Sequence, residues 1–337
     1  MRVEQHIEKT IHRQLIQERN RHFPAFLSNN ASLLALVALS IFFGSISPRF
    51  FTLSNLFNIL DLVSLLSITS IAMCFVLMLG SIDLSVEGIV GLSGVIASFL
   101  VKNFSNSNDF GFFALFICIG IGACLGLLNG FIFSTFKIPS FMTTLGVGFI
   151  TIGIGVLLTK GNPVVITDWG FRQIGVGRVG IIPISFMIAA VFILFMWFLN
   201  ERTIFGRHVL AIGGDEAIVR DLGIRINRVK IGVYALAGAM YGLVGVLLTA
   251  KLGSGDITAP LGYTFDSIGA CVLGGIAITG GVGSIPKALI GALILTILRN
   301  GMILMGINPY VQQGVIGIIL IVTVALTIDR KKIKIMK

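Results

Sequence analysis

The chain has 337 residues, of which 55% are hydrophobic and 12% charged; its mean hydropathy is +0.98 and its formal net charge +10. This composition excludes a soluble globular domain, and apolar runs of about 16 to 25 residues without polar alternation exclude a β-barrel. The expected fold class is all-α: a polytopic helical membrane protein with about ten transmembrane helices.

At the N-terminus, residues 1–28 form a polar segment in which Val3, Ile7, Ile11 and Leu15 recur four apart among charged and amide side chains. That spacing predicts an amphipathic helix on the cytoplasmic surface, with a disordered tail as the alternative. No cleavable signal peptide is evident there, so the first span is expected to stay as an anchor. A transmembrane domain follows over 29–329, and 330–337 form a basic cytoplasmic tail. Spans are predicted over 31–46, 55–79, 84–101, 110–136, 141–158, 183–199, 231–250, 265–279, 285–305 and 311–328, with eight as the other even count.

Charge supports an even count. With both termini cytoplasmic, the outward connections 47–54, 102–109, 159–182, 251–264 and 306–310 carry only six of the 25 Lys and Arg residues, as retention of positive charge inside requires. The basic residues thus mark membrane edges, which argues against nucleic-acid binding. Of the outward connections, 159–182 with Trp169 and 251–264 with Gly253-Ser254-Gly255-Asp256 are candidate contact surfaces for an extracytoplasmic partner, or ordinary solvated loops.

Between the sixth and seventh spans lies a polar island, 200–230, in which ten of 31 residues are charged. It is too short for a catalytic domain and too long for a turn, so it is expected to touch another protein. That points to a transport pathway driven by a partner subunit.

Catalytic motifs are missing from the sequence. The nearest approach to a phosphate-cradling loop, Gly281 to Ala288, has proline before Lys287 and alanine after it. There is no zinc-hydrolase or nucleophile-elbow motif, and all four histidines lie in polar segments. Cys74, Cys118, Cys124 and Cys271 fall in apolar runs and read as packing residues. Neither a catalytic residue, a metal ligand nor a cofactor is expected.

Ionisable groups inside spans are costly and face a pathway or a partner. Asp61, Asp83, Glu87, Asp266 and Arg299 are such groups, with Asn300 beside the last. Residues 79–88 break a long apolar run, and Asp83 there either caps the next helix or, with Ser81 and Ser85, faces a pathway. Asp61, Ser81, Asp83, Ser85 and Asn300 are therefore the pathway candidates. Gly122, Gly126 and Gly130 form one small-residue face and Gly238 with Gly242 another, suited to close packing within the monomer or, alternatively, to a dimer seam. Ser70, Ile71, Cys74 and Gly94 recur 197 positions later as Ser267, Ile268, Cys271 and Gly291, an arrangement consistent with an internal repeat or with chance.

Several stretches resemble one family. They are Ser81-Ile82-Asp83-Leu84-Ser85-Val86, Thr203-Ile204-Phe205-Gly206-Arg207, Ala211 to Ala217 leading to Gly223-Ile224, Ala250 to Gly255, Val272 to Gly275, Gly280 to Ser284, Asn300-Gly301 and Gln312-Gln313. Over 47–330 the chain is similar to the permease subunits of bacterial ABC importers for monosaccharides, of the ribose, xylose and galactose type. The resemblance implies about ten spans in the bacterial inner membrane. It also implies a coupling region at 200–230, centred on Gly213 to Gly223, that docks on cytoplasmic ATP-binding subunits. Gly213, Gly214, Asp215, Glu216, Arg220, Asp221 and Gly223 are the coupling residues it marks. The other partners implied are a second permease subunit, identical or different, and a periplasmic sugar-binding protein. A nucleoside, a branched-chain amino acid or a sugar-like signal molecule is the alternative cargo, and an ion-coupled secondary carrier the alternative class. Glu87 departs from the pattern, standing where family members commonly carry glycine.

Overall fold

The computed structural model describes residues 30–327; the expected N-terminal amphipathic segment 1–28 and the basic tail 330–337 lie outside the described residues. The chain begins with α1 (Ala31–Ile46), α2 (Leu53–Met78), α3 (Val86–Leu100), α4 (Phe113–Phe136) and α5 (Ser140–Thr159). β1 (Val164–Val165), α6 (Trp169–Val176), β2 (Arg178–Val179) and β3 (Ile182–Pro183) follow. After α7 (Ile184–Arg202) come the two island helices, α8 (Ile204–Gly214) and α9 (Glu216–Asp221), then α10 (Ile226–Leu252) and β4 (Ser254–Gly255). α11 (Tyr263–Leu273), α12 (Ile285–Leu304) and α13 (Pro309–Thr327) complete the bundle.

The all-helical expectation holds, but the predicted spans prove unequal. Among the described residues α2, α4, α5, α7, α10 and α12 are long and apolar enough to cross a bilayer, while α1, α3 and Pro309–Thr323 are apolar but shorter. The segment expected to span over 265–279 is helical only as far as Leu273. At 1.5 Å per residue α11 is about 16 Å long, roughly half the hydrocarbon core. Glycine ends it: Gly275, Gly280 and Gly281 all take positive φ, which no helix can continue through. α3 is also short, about 22 Å, because residues 79–85 before it are not helical. Length and hydropathy therefore do not yield ten spans.

Burial sorts the helices into an inner and an outer set. The most apolar windows of α2 and α10 are 83% and 72% buried, against 33% for α4 and α5 and 22% for α7, so the first two form the axis and the others line the outside. Glycine brings the outer helix α4 close against the axis. A β-carbon on Gly122 or Gly126 would run into the backbone of Gly238 or Tyr234, and one on Gly242 into that of Cys118. The two small-residue faces thus pack on each other inside the monomer, joining α4 to α10. Of the four cysteines, Cys74, Cys118 and Cys271 are packing residues as expected, whereas Cys124 is exposed on the outer side of α4, because the helix turns its glycine face inward.

At the end of the bundle remote from the island, three of the connections expected to face outward, 102–109, 159–182 and 251–264, form one plate. β1 pairs antiparallel with β4, Val164 opposite Gly255 and Val165 opposite Ser254, and an isolated bridge joins Asn103 to Ile166. The loop predicted over 159–182 also holds α6, whose N-cap Asp168 accepts from the Phe171 N–H at 3.0 Å. Where α2 begins, Asn55 and Asn300 exchange amide hydrogen bonds of 3.0 and 2.9 Å, both side chains buried.

Two consequences are measurable. Gly126→Leu should lower stability in detergent by about 3 kcal/mol or more, since backbone rather than side chain must move, while Gly120→Ala, with no neighbour within 4 Å, should stay within about 0.5 kcal/mol. Asn55→Leu or Asn300→Leu should each cost about 1–3 kcal/mol by orphaning its partner, and the double leucine variant should recover most of the loss, as read from a double-mutant cycle of unfolding midpoints.

Candidate functional site

The island folds as two short helices on the end of α10. Thr203 caps α8, its hydroxyl accepting from the Gly206 N–H at 3.4 Å. Asp215 caps α9 by accepting from the N–H groups of Ala217 and Ile218, at 2.9 and 3.2 Å. Glu216 accepts from Arg220 at 2.8 Å, four residues on, and from Lys230 at 2.7 Å. Lys230 also lies 4.8 Å from the centre of the Phe133 ring, so Glu216 fastens α9 to α10 and, through it, to α4. Partial burial acts to raise the Glu216 carboxyl, but the hydrogen bond and charge of Lys230 and the charge of Arg220 outweigh it, and the group lies below its ordinary value. Gly223, at φ 78°, reverses the chain between α9 and α10.

The outward face of α9 carries Ile218 and Leu222, 60% and 73% exposed, with Asp221 beside them. Behind it an open groove is lined by Arg220, Ile224, Arg225, Asn227 and Arg228. Apolar side chains thus stand exposed among arginines and acidic groups at the polar end of the bundle.

At the other face of the island, α8 ends against the interior. A β-carbon on Gly213 would run into the Met78 carbonyl and lie 2.5 Å from the Gly281 nitrogen; one on Gly280 would lie 2.7 Å from the Gly80 nitrogen and 2.8 Å from the Gly213 oxygen. The Gly281 N–H donates to the Met78 carbonyl at 2.9 Å. Three stretches of backbone meet here: the end of α2, the segment after α11, and the end of α8. The two helix breaks, at 79–85 and 274–284, are therefore in direct contact with each other and with the island.

The first break is satisfied internally. Ile82 N–H donates to the Ser140 hydroxyl at 3.1 Å and Leu84 N–H to the Thr144 hydroxyl at 2.9 Å, so α5 supplies the acceptors that the missing helix turn lacks. Asp83 does not cap α3. Its Oδ1 accepts from the backbone N–H of Ser85 at 2.8 Å and from the Ser85 hydroxyl at 2.6 Å, a local turn just before the helix. The Asn129 amide donates to the Ser85 hydroxyl at 2.9 Å. Ser81, Asp83 and Ser85 are all buried, as are the unpartnered Asn129 Oδ1 and Tyr241 hydroxyl.

Asp61 and Asn300 lie elsewhere. Asp61 Oδ2 pairs with Lys251 at 2.8 Å and its Oδ1 accepts from the Ser185 hydroxyl at 2.7 Å, which ties α2 to α10 and α7. Asn300 is the partner of Asn55. The structure thus joins Gly213 of the island to the break that carries Ser81, Asp83 and Ser85, and sets Asp61 and Asn300 apart from them. Sequence reasoning missed Asn129, Asn55 and Lys251; amides inside apolar runs were the available signal for the first two. It noted Glu87 but not its contacts, which lie on the backbone of Gly262 and Thr264.

Over residues 55–324 the chain matches the family model described as branched-chain amino acid transport system / permease component. It is 35% identical over 326 residues to the ribose import permease protein RbsC of Escherichia coli (strain K12), covering 95% of this chain and 99% of that one. To the ribose import permease protein of Bacillus subtilis (strain 168) it is 36% identical over 322 residues, covering 95% and 98%. To the galactose/methyl galactoside import permease protein MglC of Escherichia coli (strain K12) it is 33% identical over 310 residues, covering 87% and 91%. No solved structure matches the chain. The family model spans most of the chain and relatives above 30% identity align along nearly all of it, so this helical bundle with two glycine-bearing breaks belongs to the permease family described as branched-chain amino acid transport system / permease component.

Proposed function

We propose that the chain is the membrane-spanning permease subunit of an ATP-driven importer that carries a monosaccharide across the bacterial inner membrane. The observation that carries this reading is the seat of the island: α9 presents a docking face on one side, and the end of α8, joined to it through Asp215, rests on both helix breaks on the other. A force applied to the island therefore reaches the transmembrane segments without an intervening flexible loop. The chain holds no phosphate-cradling loop of its own, so ATP hydrolysis falls to cytoplasmic ATP-binding subunits docked on α9. Gly213, Gly214 and Gly223 shape the docking element, Asp215 and Glu216 hold it, and Arg220 and Asp221 line its rim.

The rest of the assembly follows from the two ends. Ten segments traverse the membrane in this reading, α3 and α11 completing their crossings with the non-helical breaks, which keeps both termini on the island side. The plate built from β1, β4 and α6 is the receiving surface for a periplasmic sugar-binding protein, and a second permease subunit, identical or different, completes the pathway. A monosaccharide is favoured over a branched-chain amino acid because the relatives that cover nearly the whole chain are named for ribose and galactose import. Asp61, Ser81, Asp83, Ser85 and Asn300 remain the pathway candidates; the first break, which moves with the island, is the best placed of them.

Affinity purification with the ATP-binding subunit tests the docking face. Ile218→Asp with Leu222→Asp should reduce co-purification about tenfold or more while the chain still inserts and melts as before, since both side chains are exposed. Undiminished co-purification would move the contact off α9. Acid should loosen the island for a second reason. Because the Glu216 carboxyl sits below its ordinary value, its ties to Lys230 and Arg220 are complete above about pH 4.5 and are lost as pH falls below that. Limited proteolysis of the island in nanodiscs should be flat from neutral pH to that point and rise below it, and Glu216→Gln should abolish the rise.

A further inference from the structure

Helix α11 starts without a cap of its own. Its N-cap position is Gly262, at φ 95°, with no side chain to accept from the free N–H groups that open every helix. The acceptor comes from another helix. Glu87 Oε1, in the first turn of α3, accepts from the Gly262 N–H at 3.0 Å and the Thr264 N–H at 3.4 Å, across 175 and 177 residues of chain. One carboxylate thus serves the positive ends of two short helices at once.

The neighbouring charges leave Glu87 to this task. Asp266, also in the first turn of α11, is paired with Arg299 of α12 at 2.7 Å. Among the described residues Glu87 has no cationic partner, so its compensation is backbone N–H and helix dipole. Buried Thr264 has the same source of satisfaction. At its far end α11 runs into 274–284, where Gly280 and Gly281 lie against Gly213 and Gly214 of the island. The helix is therefore held at one end by the element a partner would displace and at the other by Glu87.

We propose that Glu87 is a positioning residue of the transport cycle: its carboxylate pins the start of α11 to α3, so that displacement of the island turns α11 about this pin. The proposal rests on the importer reading given above. A pinned helix converts a push at 274–284 into a swing, whereas an unpinned one slides along α2 and α12 and delivers less of the motion to the pathway. The charge matters as well as the acceptor, because the two helix ends that meet here are both positive.

The full chain assembled with its ATP-binding subunit in proteoliposomes tests this, as wild type, Glu87→Gln and Glu87→Ala. Amide exchange of Gly262 and Thr264 should stay slow in wild type both with and without nucleotide, while exchange across 277–283 changes between the two conditions. In Glu87→Ala, exchange at Gly262 and Thr264 should rise about tenfold or more. Labelled ribose or galactose carried per ATP should fall at least about fivefold in that variant, with ATP hydrolysis within about twofold of wild type. Glu87→Gln, which keeps an acceptor oxygen, should recover part of the coupling. Unchanged sugar per ATP in Glu87→Ala overturns the proposal and leaves Glu87 a structural cap. Should the alanine variant fail to assemble, unchanged exchange and unchanged coupling in Glu87→Gln overturn it equally. Failure of wild type to carry either sugar counts against the monosaccharide reading alone, and fast exchange at Gly262 and Thr264 in the nucleotide-bound wild type still refutes the pin.

Discussion

The meeting of three glycine-bearing backbone stretches, Met78 to Gly80, Gly213 to Gly214 and Gly280 to Gly281, is the constraint on which the rest of the molecule depends. Backbone against backbone leaves no side chain to bend or change rotamer, so the island cannot shift without moving both helix breaks. The Gly281 N–H bond to the Met78 carbonyl adds direction to the contact. Close-packed interiors transmit small displacements rather than absorb them, and discrete packings turn them into switches. A leucine or even an alanine at Gly213 would replace this rigid junction with a compliant or a displaced one.

The same economy of side chains organises the membrane interior. Lipid offers helices no hydrophobic reason to associate, so close approach and polar links must do it. Glycine supplies the approach between α4 and α10, and again where Gly94 faces Gly245 and Gly291 faces the end of α11. The polar links are few: Asp61 with Lys251 and Ser185, and Asn55 with Asn300, join helices far apart in sequence, and Asp266 with Arg299 joins the consecutive α11 and α12. Each leaves its charge or amide satisfied inside the bundle, which the cost of an orphaned polar group in hydrocarbon demands.

How much of this was legible in the chain depends on the range of the interaction. The glycine faces of α4 and α10 could be read because a repeat of four residues is a property of one helix. The connections 159–182 and 251–264 could be located as gaps between apolar runs, yet their union through β1 and β4 could not, since two-residue strands carry no periodic signal. Phe265 to Thr279 looked like a span because hydropathy counts residues 274–279 as apolar, whereas the positive φ of Gly275 ends the helix. Asp83 looked like a cap for α3, and its turn with Ser85 formed two residues earlier instead. Glu87 was visible as an added charge, but its partners lie about 175 residues away.

The sequence by itself determined a helical membrane protein with a polar island and buried glycine seams, because backbone hydrogen bonds in lipid must close within each helix and hydropathy is summed locally. Only the tertiary structure decided that α2 and α10 form the axis, that the island sits on both breaks, and that Glu87 caps a helix not its own. Spans apolar on every side show no face to favour, so which way a side chain points is settled by the neighbours it meets after packing.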